Sequence, residues 1–84
     1  KKKINSKTKA ILLTHFNGYL QNSIGIRNLI KKTKHKIFFL EDCAHVLAAE
    51  HKKNIYSGSY SDAAVFSFGP TKMITSAGMG GMVI

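Results

Sequence analysis

The first regular pattern along the chain is a short apolar run, "AILLTHF" at Ala10–Phe16, closed by the breaker pair Asn17-Gly18. A continuous apolar stretch of this length without helical spacing predicts a buried strand ending at His15. The spacing then changes. Ile26, Leu29 and Ile30 fall on one face of a helix predicted over Ile24–Lys34, with Asn22 or Ser23 as its cap. "KIFFL" at Lys36–Leu40 predicts a second strand. Strand, helix and strand in this order form a βαβ unit, which requires a parallel sheet and predicts strands buried on both faces.

After Leu40, "EDCAHVLAAEHKKN" holds no sustained period and is expected to run as a loop into a short helical turn. Alternation returns in "DAAVFSFG", Asp62–Gly69. It predicts a strand with Val65 and Ser67 on one face and Phe66 and Phe68 on the other. A last strand is predicted at Met82–Ile84, entered through Gly80-Gly81. The fold class expected is α/β.

Composition changes this picture little. The 84 residues are 44% hydrophobic, a globular value, and allow at most one small domain. The chain lacks an initiating Met and closes on "GGMVI", a strand just starting, so residues 1–84 read as part of a larger domain truncated at both ends. No apolar run approaches the roughly 20 residues that span a bilayer. The lysine-rich start has no signal-peptide apolar region behind it, which leaves a cytoplasmic protein as the expectation. Cys43 is the single cysteine, so no disulfide forms within the chain.

Charge is uneven. Residues 1–36 carry ten Lys/Arg and no acid, whereas residues 37–84 carry three lysines and four acids. A nucleic-acid-binding module built on Lys1–Lys36 is one reading, but this half lacks the aromatic interleaving of RNA-binding modules, and a solvated basic surface fits it better.

Candidate chemistry sits at the ends of the predicted strands, where parallel α/β sheets bind ligands. His15 follows the first strand, Asp42 and His45 the second, and Ser67 leads on to Lys72 from the third. Each has an ordinary structural reading: an acid after a strand caps a turn, a serine packs, a lysine is solvated. Cys43 between Asp42 and His45 suggests a metal site only weakly, because no second ligand cluster has zinc-like spacing. Gly78, Gly80 and Gly81 precede a strand and do not open a helix, so they form no dinucleotide fingerprint. Met73, Met79 and Met82 read as packing residues.

Taken together, "EDCAH", "DAAVFSF", "PTK" and the paired glycines resemble the DegT/DnrJ/EryC1/StrS aminotransferases over about Lys9–Ile84. The resemblance implies a fragment of the large domain of an aspartate-aminotransferase-like, fold type I enzyme with a mostly parallel central sheet. It implies pyridoxal 5'-phosphate as cofactor, and amino transfer, with glutamate the expected donor, to a keto group of a nucleotide-linked sugar. A homodimer is implied for the full-length parent. On the matching positions, Asp42 would hold the proton on the cofactor's ring nitrogen. His45 would stand near the ring hydroxyl, Ser67 would bind the phosphate, and Lys72 would carry the cofactor covalently and then move the proton. His15 matches a structural element.

Met79 departs from the acid the family commonly has before the paired glycines, which also lie one residue further from Lys72 than in the common pattern. Ser61 stands where a glycine is usual. A degenerate, inactive fragment is therefore a further reading. The 84 residues by themselves are expected to catalyse nothing, since the remainder of the phosphate site would come from other segments and from a second subunit.

Overall fold

The computed structural model describes residues 3–84. Four strands make the main sheet: β1 (Ala10–Thr14), β2 (Phe38–Asp42), β5 (Ala63–Ser67) and β6 (Gly81–Val83), in the order β1-β2-β5-β6. β1, β2 and β5 run parallel, and β6 joins β5 antiparallel. The helix α1 (Ser23–Lys31) crosses from β1 to β2, as the spacing of apolar residues requires. Asn22 is its cap, accepting a hydrogen bond from Gly25 N–H at 2.9 Å.

Several boundaries move. The helix stops at Lys31, three residues short of the expected end, because Thr33 turns back to Ile30 with both its N–H (2.9 Å) and its Oγ1–H (2.8 Å). β2 starts and ends two residues later than the apolar run suggests. Phe38 N–H donates to Lys9 O at 2.9 Å, and pairing with β1 continues to Thr14 opposite Asp42. Asp42 is thus the last residue of a strand and not the start of a loop. The expected helical turn in residues 41–54 is absent. An antiparallel hairpin stands in its place, β3 (Glu50–Lys52) and β4 (Ile55–Tyr56), reversed at Asn54 with φ +62°.

The sheet has one covered face and one open face. Ile30 of α1, Ile37 and Phe39 form one buried cluster, with Ile11 and Leu13 packed against it. Cys43, Val46, Ala64 and Phe66 form a second, under residues 43–60. Alternation sends the other set of side chains to the opposite face, where Leu12 (61% exposed) and Val83 (68% exposed) meet solvent. The expectation of strands buried on both faces is corrected here: within residues 3–84, α1 and the 43–60 segment supply a layer on one side only. Met73, Met79 and Met82 are likewise exposed, so the packing assigned to them is not made within these residues.

One polar tie fastens helix to sheet. Asp62 accepts from Phe39 N–H at 2.8 Å and from Arg27 Nη2 at 2.9 Å, and Arg27 Nε donates to Tyr60 O at 2.6 Å. The Phe39 N–H, then the Arg27 guanidinium, hold the Asp62 carboxyl below its ordinary range. A carboxyl depressed in the folded state stabilises fully above its unfolded pKa, and that contribution is lost as pH falls through the folded value. The melting-temperature gap between wild type and Asp62→Asn is therefore expected to narrow as pH falls below about 4. A gap independent of pH would show that the tie does not stabilise through charge.

Candidate active site

The open face carries the candidate chemistry. In the register of the sheet, Thr14, Asp42 and Val65 lie side by side, and Ser67 follows Val65 on the same face. Asp42 and Ser67 therefore share one face at the carboxyl ends of adjacent parallel strands. Asp42 Oδ1 accepts from Ala44 N–H at 3.1 Å, which starts the turn that brings His45 round.

His45 and Lys72 meet in a cleft of about 280 Å³, lined also by Asn17, Gly18, Ala44, Thr71 and Met73. Lys72 is half-buried, and its N–H donates to Gly69 O at 3.1 Å in the turn after β5. Gly69 stands between two of the candidates: a Cβ placed on it would lie 3.8 Å from Ser67 Oγ and 3.9 Å from Lys72 Cγ. An acid and a hydroxyl on one face, then an imidazole and an amine in the cleft beyond, are thus gathered from residues 42–72. The paired glycines lie close by. Gly81 presses so near β5 that a Cβ would meet Phe66 O at 2.7 Å, so only glycine fits where β6 begins.

A larger cleft, about 570 Å³, lies at the other end of the sheet among Lys9, Lys31, His35 and Lys36. It gathers much of the basic half of the chain, but it holds only the Arg27–Asp62 tie and contains none of the candidate residues. Lys1 and Lys2 lie outside the described residues.

Behind the sheet, on its covered face, is a buried polar group that sequence reasoning missed. Glu41 is fully buried. Its Oε2 accepts from Gly58 N–H at 2.6 Å and lies 3.5 Å from His15 Nε2, while Oε1 has no partner. The signal was present: Glu41 has the same parity as Phe39 in "FFLED", so a covered Phe39 puts a carboxylate in the core, where it needs a partner. His15, given only a structural role from sequence, is that partner. His51 packs edge-on against His15 and Tyr60, and burial lowers its pKa.

His15, Glu41 and Cys43 have potential ligand atoms within 4.8 Å of one another. Their hydrogen bonding does not suit a metal. His15 Nδ1 accepts from Gln21 N–H at 3.0 Å, so the ring proton is on Nε2 and that nitrogen has no free lone pair. Burial, then the charges of Glu41 and Asp42, push the Cys43 thiol up to about 12, which keeps it protonated near neutrality.

Compared with known proteins, residues 1–84 match the description of the DegT/DnrJ/EryC1/StrS aminotransferase family along their whole length. The chain belongs to that family. It is 39% identical over 85 residues to GDP-perosamine synthase of Vibrio cholerae, covering all of this chain and 22% of that protein. The aminotransferase of Psychrobacter cryohalolentis superposes with a TM-score of 0.82 at 34% identity, over 95% of this chain and 20% of that structure. Helicobacter pylori PseC, an aminotransferase involved in the biosynthesis of pseudoaminic acid, gives 0.80 at 35% identity, over 98% and 21%. This DegT/DnrJ/EryC1/StrS chain thus spans about a fifth of the length of the relatives it matches. Its mostly parallel α/β sheet is the part of the aminotransferase fold that it shares with them.

Proposed function

We propose that residues 1–84 are the central, cofactor-binding part of the large domain of a pyridoxal-phosphate-dependent aminotransferase, whose complete protein transfers an amino group to a keto group of a nucleotide-linked sugar. The supporting observation is the convergence of Asp42, Ser67, His45 and Lys72 at one end of the sheet. Membership of the aminotransferase family and the resemblance to GDP-perosamine synthase support the reaction and the sugar class. The open apolar face supports a longer protein, since a parallel sheet is normally covered on both sides. In this reading the complete protein is a cytoplasmic homodimer with glutamate as the donor. No helix among the described residues is long and apolar enough to cross a membrane.

The donor set fits the cofactor. Asp42 is a carboxylate able to hold a pyridinium proton, Ser67 donates a hydrogen bond to a phosphate, and Lys72 supplies an amine. When bound, pyridoxal phosphate supplies an electron sink that makes a substrate C–H bond acidic. Everything else is done by the chain. Asp42 keeps the sink charged, Ser67 and the adjoining Gly69 turn locate the phosphate end, and Lys72 Nζ carries the proton between carbon atoms.

In the complete protein, Asp42→Asn is expected to retain bound cofactor and to lose at least about a hundredfold in turnover, or about 2.7 kcal/mol of barrier. Ser67→Ala is expected to weaken cofactor affinity instead, with a smaller effect on turnover at saturating cofactor. Cofactor titrations followed by single-turnover kinetics separate the two. Normal turnover in Asp42→Asn would remove the acid from its role.

A further inference from the structure

Two histidines in this structure are held by the same loop in the same way. The loop between β1 and α1 turns at Asn17 (φ +51°) and Gly18 (φ +79°), with Tyr19 N–H donating to Phe16 O at 3.0 Å. It directs two backbone amides onto imidazole nitrogens. Gln21 N–H donates to His15 Nδ1 at 3.0 Å, and Asn17 N–H donates to His45 Nδ1 at 3.3 Å. A backbone N–H can only donate, so each Nδ1 has to present a lone pair, and each neutral ring carries its proton on Nε2.

For His15 the consequence is visible. Its Nε2–H faces Glu41 Oε2 at 3.5 Å, and the ring is 1% exposed, so the buried carboxylate anchors the start of the loop. For His45 the consequence lies in the cleft. The ring packs against Phe16 with centroids 5.5 Å apart, and Nδ1 is taken by Asn17. Nε2 is the nitrogen left for a ligand.

We propose that Asn17 is a positioning residue of the cleft. Its backbone N–H commits His45 to the Nε2–H tautomer, so that His45 meets a ligand as a hydrogen-bond donor and selects an oxygen acceptor, preferably an anionic one. The Asn17-Gly18 turn aims this amide, and the His15–Glu41 pair holds the turn at its base. The identity of the ligand as pyridoxal phosphate rests on the function proposed above; the tautomer does not.

Long-range ¹H–¹⁵N correlation spectra of the complete protein, labelled at histidine, read the tautomer directly, and the His45→Gln spectrum identifies the His45 signals. Without cofactor, His45 is expected to show an unprotonated Nδ1 and a protonated Nε2. Gly18→Val has room for its side chain but not a backbone suited to φ +79°, and it is expected to loosen the turn and give mixed tautomers. An Nδ1–H or mixed form in the wild type, or an unchanged tautomer in Gly18→Val, would overturn the role of Asn17. Pyridoxal phosphate titration supplies the second arm. His45→Gln keeps a donor and is expected to bind within about threefold of wild type, whereas His45→Phe is expected to bind about tenfold more weakly. Equal binding by His45→Phe would overturn the donor role. Failure of the wild type to bind the cofactor at all would overturn the proposed function and leave the tautomer result standing.

Discussion

Lys72→Ala in the complete protein is expected to abolish borohydride fixation of pyridoxal phosphate to the chain and to lower transamination by about 10²- to 10⁴-fold from the lost proton carrier alone. The geometry gives the reason. Lys72 lines the cleft with His45, its backbone is tied to Gly69, and Ser67 Oγ and Lys72 Cγ both approach the bare Cα of that glycine. No other described lysine lines the cleft: Lys52 and Lys53 lie in the β3–β4 hairpin, and Lys9, Lys31 and Lys36 line the separate cleft at the opposite end of the sheet. Cofactor is expected to remain partly bound without the amine, because the contacts proposed for Asp42 and Ser67 at its two ends do not pass through Lys72. Reduction, proteolysis and mass mapping check the outcome. Label on a different lysine of the wild-type protein would take Lys72 out of its role.

The largest effect on stability is expected at Gly58. Its φ of +87° disfavours any side chain, and a Cβ would stand 2.8 Å from Ala64 Cβ, in the middle of the buried cluster of Cys43, Val46 and Phe66. Its N–H also donates to the buried Glu41 Oε2 at 2.6 Å. A left-handed backbone costs roughly 1–2 kcal/mol with a side chain, and overpacking roughly 1–3 kcal/mol. Gly58→Ala is thus expected to destabilise the complete protein by about 2–5 kcal/mol, read as a lowered denaturation midpoint or loss of soluble protein. Gly78→Ala is the comparison, since a Cβ there meets nothing within 4 Å, and it should change stability by no more than about 0.5 kcal/mol. Equal midpoints for the two variants would show that Gly58 is not needed for the turn that satisfies Glu41.

Much of the candidate site was legible because it depends on local order along the chain. Apolar runs bounded by Asn17-Gly18 and by Gly69-Pro70 mark strands, and the polar residues just past them fall at the carboxyl ends of a parallel sheet. The face of Ser67 was legible too: alternation in "DAAVFSF" sets it with Val65, as observed. The hairpin was not. β3 and β4 have three and two residues, too few to carry a period, and their pairing depends on the turn at Asn54.

The sequence by itself determined which of the longer segments are strands or helix and which side chains share a parity, since a strand's period of two and a helix's period of 3.6 act over neighbouring residues. Only the tertiary structure decided register and partners. Sliding β2 by two residues put Asp42 into the sheet opposite Thr14, and it buried Glu41 where His15, 26 positions earlier, and Gly58, 17 positions later, could reach it. Likewise Asn17 and His45 are 28 positions apart and meet only because β1 and β2 lie side by side. A buried charge or an orphan ring nitrogen has a large desolvation cost but no preferred sequence distance for its partner, so packing alone selects that partner.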